Sequence, residues 1–314
     1  MTKKTAIALL LSVFATLANA QESRTEYNFL RLPVSAHGAA LGGDNITLVE
    51  DDASLIFSNP ALLRSVTSRT IGLNYMNYMS GANTASATYN WDIKKVSVAA
   101  SGQFMSYGTM KETSPDGTIK GEFSAKDISM AAYIAYDLAE RLAGGISAKF
   151  VMSYLGDYSS LAMCVDLGIN YYDPEREWSL SAVAKNLGGQ VKAYNEDYER
   201  MPFDLMVGVS KKLKGAPFRL NATLSDLTHW DYRFINHLSA GVDVDLSSNI
   251  WLGIGYNFRR ADEMGVSDGE NTSSHGAGLT FGGGIQLERF KLNIAYGKYH
   301  VSSSSILVNA AFTL

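Results

Sequence analysis

The sequence lacks the features that stabilise small secreted domains or that cross membranes as helices. It contains one cysteine, Cys164, in 314 residues, so an internal disulfide framework is excluded. Beyond the first 20 residues, no apolar run reaches the roughly 20 residues that a transmembrane helix needs, which excludes a helical membrane protein. The formal net charge is only −4, and the absence of a basic patch argues against nucleic-acid binding.

Signatures of catalysis are also missing. The chain has no Walker motif, no dinucleotide-binding glycine pattern, no H-E-x-x-H and no C-x-x-C. Its histidines have no metal-ligand spacing; they are His37, His229, His237, His275 and His300. The sequence therefore predicts a protein that is not an enzyme and that holds no cofactor or metal.

The first 20 residues have the pattern of an export signal. Two lysines precede an apolar run over 6–17, and residues 18–20 (Ala-Asn-Ala) form an A-x-A cleavage site. We expect cleavage after Ala20 and export of the mature chain. No cysteine lies at that point, so we expect no lipid anchor.

The sequence does contain long alternations of apolar and small or polar residues with a period of two, which predict β-strands. In "SLAMCVDLGINYY" (160–172), Leu161 and Met163 fall on one face, whereas Ala162 and Cys164 fall on the other. An even strand number is typical of single-chain outer-membrane barrels. Runs of this kind predict about fourteen strands, near 70–78, 83–91, 94–107, 124–137, 142–154, 159–172, 177–188, 202–213, 218–227, 235–246, 250–258, 276–287, 290–299 and 304–314.

The lengths of the connections distinguish a barrel from a soluble sandwich. The short connections follow even-numbered strands, at 92–94, 139–141, 173–177, 247–249 and 288–289. The three longest follow odd-numbered strands, at 108–123, 189–201 and 259–275. An up-and-down barrel with both termini in the periplasm has this asymmetry, whereas a Greek-key sandwich scatters its long crossings. The sequence therefore predicts an all-β fold, a transmembrane up-and-down antiparallel barrel over 67–314.

The two faces of the predicted strands differ in chemistry. The outer face is aliphatic or aromatic, as contact with outer-membrane lipid requires. On the inner face, Lys149, Asp166 and Lys185 come from three successive strands. One interpretation, which we favour, is a charge cluster that neutralises itself inside a filled barrel. The other is a path for a substrate or an ion.

Before the first predicted strand lies "GGDNITLVEDDASLIFSNPALL" (42–63), which combines paired glycines with acidic and amide side chains. Because lipid offers no hydrogen-bond partners, an irregular segment inside a barrel has to bond to the lumen wall. We therefore interpret residues 21–66 as an N-terminal hatch, or plug. The residues that suit this role are Gly42, Gly43, Asp44, Asn45, Asp51, Asp52, Asn59 and Pro60.

Asp51 and Asp52 admit a second interpretation, as a catalytic or calcium-binding pair. Calcium takes six or more oxygen ligands, and the EF-hand spacing is missing. We favour the alternative that the pair interrupts the chain and caps the short apolar run beyond it.

Some stretches also resemble known proteins. The segment 42–63 resembles the N-terminal hatch of FadL-like outer-membrane barrels, in which an N-P-A element precedes the first strand. "LNYMNYMSG" (73–81), "YYDPEREWSLSAVAKNLGGQVKAY" (171–194), "GYNFRRADEM" (255–264) and the segment 273–305 look like PorQ-like barrels of the type IX secretion system, over essentially the whole mature chain. The resemblance implies a scaffold in the cell outer membrane that anchors a PorZ-like surface protein. That protein belongs to an attachment complex with PorU- and PorV-like proteins, in which the PorU-like sortase processes secreted cargo.

A scaffold of this kind needs aromatic and arginine anchors on its outer loops. The candidates for partner contact are His229, Trp230, Tyr232, Arg233, Arg259 and Arg260, with Trp230 the strongest. The alternative for this group is an ordinary interfacial girdle at the level of the lipid headgroups. The alternative function is a FadL-type channel for hydrophobic small molecules, which the hatch favours and the polar inner face does not.

Overall fold

The computed structural model describes residues 25–267, 272–273, 276–300 and 303–314. The expected signal peptide, residues 1–20, lies outside the described residues. Within them, no helix combines the length and the apolar character needed to cross a membrane.

Fourteen antiparallel strands close into one barrel. Each strand pairs with its neighbours along the chain, and β14 closes the barrel against β1, with Ile71 opposite Phe312 and Tyr75 opposite Val308. This confirms the predicted fold class and strand number. The strands are β1 (Thr70–Asn77), β2 (Asn83–Ile93), β3 (Val96–Thr113), β4 (Ile119–Ala139), β5 (Leu142–Leu155), β6 (Tyr158–Asp173), β7 (Trp178–Lys192), β8 (Asp204–Lys212), β9 (Phe218–Leu224), β10 (Leu238–Ser247), β11 (Ile250–Asn257), β12 (Leu279–Gln286), β13 (Phe290–His300) and β14 (Ser303–Thr313).

The strands present apolar side chains outward and small or polar ones inward. In β1, Leu73 and Tyr75 are exposed on the outer face, whereas Thr70 and Asn74 are buried on the inner face. The same alternation makes Ile134 and Ile146 exposed on β4 and β5. An apolar exterior around a polar interior is the arrangement of a barrel that lies in lipid.

The two ends of the barrel differ in their connections. At the tight-turn end, where β1 begins and β14 ends, the connections are 94–95, 140–141, 174–177, 213–217, 248–249 and 287–289. At the opposite, long-loop end the connections include 78–82, 114–118, 156–157, 193–203, 225–237 and 258–278. The last of these contains α2 (Phe258–Glu263) and a ribbon formed by Val266–Ser267 and Thr272–Ser273.

One predicted long loop, 108–123, is wrong. There, β3 and β4 continue as a hairpin past the neighbouring strands, with Thr109 opposite Ser124 and Lys111 opposite Glu122. Only 114–118 form the turn. The part of the hairpin that lies outside lipid is not required to alternate apolar and polar residues. The alternation in the sequence therefore ends before the backbone pairing does.

The segment before β1 lies inside the barrel as a hatch. It starts at the long-loop end, where Thr25 bridges to Arg200, and reaches β1 at the tight-turn end. Its regular parts are α1 (Ala36–Ala40) and three short 3₁₀ helices at Asn28–Arg31, Ala53–Phe57 and Pro60–Ser65. Its leucines form a small core, consisting of Leu41, Leu48, Leu55 and Leu62.

The hatch approaches the barrel wall closely at positions where the wall strands carry glycine. A Cβ atom at Gly255 of β11 would lie 2.2 Å from the backbone carbonyl carbon of Leu41, and one at Gly241 of β10 would lie 2.9 Å from the Leu41 Cα. Fully burying a leucine side chain contributes about 1.5–3 kcal/mol. The small residues on the inner face therefore leave the space that the hatch occupies.

This contact predicts the effect of a single added methyl group. We expect Gly255→Ala to lower the free energy of unfolding by about 1–3 kcal/mol, because the hatch backbone has to shift. The matched control is Gly102→Ala, since a Cβ atom at Gly102 of β3 would have no neighbour within 4 Å. Urea unfolding midpoints in detergent compare the two; equal midpoints would show that Leu41 does not lie against β11.

Candidate functional site

Four charged side chains join the hatch to the wall near the tight-turn end, and we call them the hatch ion network: His37, Glu50, Arg219 and Asp243. His37 Nδ1 donates to Glu50 at 2.8 Å. Arg219 donates to Asp243 at 3.1 Å and also pairs with Glu50. The His37 ring stacks on Trp251 with 3.5 Å between ring centroids. Two cations and two anions thus neutralise each other inside the lumen.

The charge states follow from these contacts. Burial alone would lower the pKa of His37, but the charge of Glu50 and the hydrogen bonds to Asp243 and Glu50 outweigh it and raise the pKa to about 9. Burial would likewise raise the pKa of Glu50, but the charges of Arg219 and His37 hold it well below its usual range. Removing one partner from such a buried group costs about 3–5 kcal/mol, because an uncompensated charge remains.

Sequence reasoning missed this network. Its members come from two hatch positions and from β9 and β10, so no local spacing connects them, and His37 stands out in the sequence only as a histidine without metal-ligand spacing. The available signal was that Arg219 and Asp243 alternate with apolar residues of β9 and β10 and therefore face inward, where a charge needs a partner.

The two adjacent aspartates of the hatch have different roles. Asp52 is the N-cap of the 3₁₀ helix at 53–57 and accepts the amide hydrogen of its second residue at 2.8 Å. Asp51 instead accepts from the Thr67 amide at 2.7 Å and pairs with Lys291 of β13. The expectation that both cap the apolar run is therefore wrong for Asp51, which ties the hatch to the wall. In the described part of the chain, no group of His, Cys, Asp and Glu is placed to hold a metal ion.

The paired glycines form a turn of the hatch that lies against the lumen wall. Gly42 and Gly43 have φ angles of 106° and 98°, in the region that favours glycine. The Asn257 amide donates to the Gly42 carbonyl at 3.2 Å and to Asp44 at 2.8 Å. Asn45 donates to an asparagine of β9 at 3.2 Å. Backbone and side chains of this turn are therefore bonded to the lumen wall.

The Asn-Pro element starts the last helix of the hatch. Asn59 accepts from the Ala61 amide at 3.0 Å, and Pro60 occupies the first helical position. The Asn59 amide also donates to the Ile46 carbonyl at 3.1 Å and to the Ile169 carbonyl of β6 at 3.4 Å. One side chain thus caps a helix and fastens it to the wall.

The three lumen charges lie in different surroundings. Lys149 and Asp166 are buried and form an ion pair at 2.6 Å. Asn186 supports the pair. Its side-chain oxygen accepts from Lys149 at 2.9 Å, and its backbone amide donates to Asp166 at 2.8 Å. The Lys185 side chain forms no ion pair or hydrogen bond with another described residue, and it lines a cavity nearby.

This loop-end cavity, of about 490 Å³, lies between the hatch and the wall at the long-loop end. Its lining combines apolar side chains, such as Leu30 and Met206, with charges of both signs. The charged residues are Arg31, Asp44, Lys185, Asp204, Asp226, Asp231, Arg259, Arg260 and Glu263. A second cavity, of about 500 Å³, lies at the tight-turn end, and no described residue lines both. The hatch separates them.

The two long loops beside the cavity are bound to each other, and we call residues 225–237 and 258–264 the loop platform. Arg259 donates to Glu263 at 2.6 Å and to the Tyr232 hydroxyl at 3.2 Å. It also pairs with Asp226, which accepts from His229 at 2.5 Å. Since these contacts cross from one loop to the other, the platform is held as one unit.

The structure divides the candidate partner-contact residues into two groups. His229, Tyr232, Arg259 and Arg260 line the loop-end cavity, and Arg260 lies 3.9 Å above a tyrosine ring of β13. Trp230 is 60% exposed, and the Arg233 side chain is 71% exposed while pairing with an aspartate of α2. The first group thus faces the cavity, whereas Trp230 and Arg233 are accessible to a partner.

Solved structures of other proteins share this architecture. The chain matches the Pseudomonas putida toluene transporter TodX with a TM-score of 0.56 and 14% identity, covering 87% of this chain and 95% of TodX. It matches a Pseudomonas aeruginosa FadL homologue with a TM-score of 0.56 and 9% identity, covering 89% and 98% of the two chains. The chain therefore has the fold of FadL-type outer-membrane barrels. No family model matches it, and no curated protein matches its sequence.

The hatch ion network predicts a pH dependence. The pKa of His37 is raised from 6.5 to about 9 on folding, so its contribution to stability is complete below pH about 6.5 and is lost as pH rises through about 9. We expect the unfolding temperature in detergent to fall between pH 6.5 and 9.5. His37→Gln should unfold at a lower temperature at pH 6.5 and show a shallower decline, and a decline equal to that of the unmodified chain would contradict this assignment.

Proposed function

We propose that this barrel, with the fold of FadL-type outer-membrane proteins, is a docking scaffold that holds a surface protein at its long-loop end. The sequence resemblance suggests the partner, a PorZ-like protein of the type IX secretion system. In that role the barrel joins an attachment complex with PorU- and PorV-like proteins. The barrel itself catalyses nothing; the sortase member of the complex processes the cargo.

The observation that carries the proposal is an exposed aromatic surface on a loop platform that is fixed in place. Trp230 is 60% exposed and Phe234 is 61% exposed, while Arg259 and its partners bind the two loops together. Aromatic side chains dominate many interfaces. A surface that is already ordered loses less conformational entropy on binding, so these residues suit the capture of a folded protein.

The filled lumen also favours a scaffold. The hatch leucines and the hatch ion network lie between the two cavities, and Asp51 and Lys291 fasten the hatch at the tight-turn end. A channel that passes a molecule along the barrel axis has to move this bonded segment each time. A scaffold keeps it in place.

A FadL-type channel for hydrophobic small molecules is the second candidate. It is favoured by the architecture shared with TodX and by the loop-end cavity of about 490 Å³, which is within the size range of small-molecule sites, about 300–1,000 Å³. The charged part of the cavity lining is against it. Uptake of a labelled fatty acid into vesicles that contain only this protein would favour the channel, and its absence favours the scaffold.

The docking proposal predicts the effect of removing one aromatic side chain. We expect Trp230→Ala to weaken capture of a purified PorZ-like protein by at least about tenfold, because an interface hot spot contributes about 2 kcal/mol or more. Barrel insertion should be unchanged. Affinity measured on barrels in lipid nanodiscs checks this.

The matched control for that measurement is Trp178→Ala. Trp178 is 41% exposed but begins β7 at the tight-turn end, away from the loop platform, so its removal should leave capture unchanged. Equal capture by the Trp230→Ala variant and the unmodified chain would remove Trp230 from the docking surface.

A further inference from the structure

The loop-end cavity contains hydrogen-bond donors that have no acceptor. In the described part of the chain, Arg31 Nε, Arg260 Nη1 and the Tyr299 hydroxyl are buried without a hydrogen-bond partner. These three side chains and Lys185 line the same cavity. A buried polar group that remains unpaired is unfavourable, so water or a ligand with acceptor atoms has to complete the site.

The same cavity also offers acceptors. One oxygen of Asp44 accepts from Asn257 at 2.8 Å, and one oxygen of Asp204 accepts from the Asp226 amide at 2.6 Å. The second oxygen of Asp44 and that of Asp204 have no partner among the described residues, and neither carboxylate forms an ion pair there. The unpaired donors named above and these two carboxylates therefore line one cavity without bonding to each other.

Contacts with neighbouring residues hold the Arg260 side chain in position, although one of its nitrogens has no hydrogen-bond partner. Its guanidinium lies 3.9 Å from the centroid of the Tyr299 ring, and its backbone amide donates to Asn257 at 2.9 Å. The Tyr299 ring in turn contacts the Tyr78 ring, 5.8 Å away between centroids. Gly43 leaves room for the guanidinium, since a Cβ atom there would lie 2.9 Å from Arg260 Nη2.

These surroundings discriminate between classes of ligand. An apolar molecule would leave Arg260 and the Tyr299 hydroxyl unpaired, and a simple anion would meet the carboxylates of Asp44 and Asp204. A hydroxyl group both donates and accepts hydrogen bonds, so a neutral molecule with several hydroxyl groups satisfies both sets. The tyrosine rings add apolar surface for the C–H groups of such a molecule.

We propose that the loop-end cavity binds a neutral saccharide unit. Arg260 and Lys185 donate to its hydroxyl oxygens, and Asp44 and Asp204 accept from its hydroxyl hydrogens. The cavity volume of about 490 Å³ suits one or two sugar rings. Trp230 and Arg233, the two accessible candidates for partner contact, do not line the cavity, so Trp230→Ala tests docking without changing the proposed saccharide site.

Saturation-transfer NMR of the full chain in detergent tests the site with methyl glycosides of glucose, galactose and mannose, and with toluene and inorganic phosphate as competing classes. We expect saturable binding of at least one glycoside, weakened at least tenfold in Arg260→Met and in Asp44→Asn. Arg289→Met, which removes an exposed arginine from the turn between β12 and β13 at the tight-turn end, should bind as the unmodified chain does.

Two results would overturn the proposal. One is saturable binding of toluene or phosphate with no binding of any glycoside. The other is glycoside binding that Arg260→Met and Asp44→Asn leave unchanged while the variants keep the gel mobility of the folded barrel. If Arg260→Met does not fold, Lys185→Met provides the same comparison, since the Lys185 side chain forms no ion pair or hydrogen bond with another described residue.

Discussion

The structure depends on one constraint: inside lipid, every backbone N–H and C=O has to find its hydrogen-bond partner within the protein. Pairing of β1 with β14 meets this constraint for the wall, because it leaves no free edge. The hatch meets it through lumen side chains. Asn309 of β14 donates to the Val34 carbonyl at 2.8 Å and also accepts from the Ala36 amide, so an irregular segment remains bonded where no lipid contact is possible.

Charge inside the lumen follows the same logic. A charge that is removed from water needs a partner, and the hatch supplies Glu50 and His37 for the wall residues Arg219 and Asp243. The barrel and its hatch are therefore one electrostatic unit, and separating them would leave Arg219 and Asp243 with only each other as partners in this network. With the lumen occupied in this way, the proposed docking surface and the proposed saccharide site both lie at the long-loop end.

Most of the fold could be predicted from the sequence, because the lipid imposes a period of two on every spanning strand and the loop lengths reveal its direction. The extended hairpin of β3 and β4 could not be predicted, because the stretch around Lys111 lies beyond the lipid and carries no such period. The partners of His37 and Asp51 could not be predicted for another reason. Asp243 and Lys291 are far away in sequence, and only the closed barrel brings them to the hatch. The loop residues were predicted as a group, but their division into Arg259, which fixes the platform, and Trp230, which is exposed, requires side-chain geometry.

The central claim is that the hatch closes a barrel that lies in lipid. Conductance across a planar bilayer tests it most directly. The intact chain should insert without a steady ionic current, whereas a variant that lacks residues 25–66 and is shown to insert should conduct as an open pore. A steady, ohmic current through the intact chain would contradict the account.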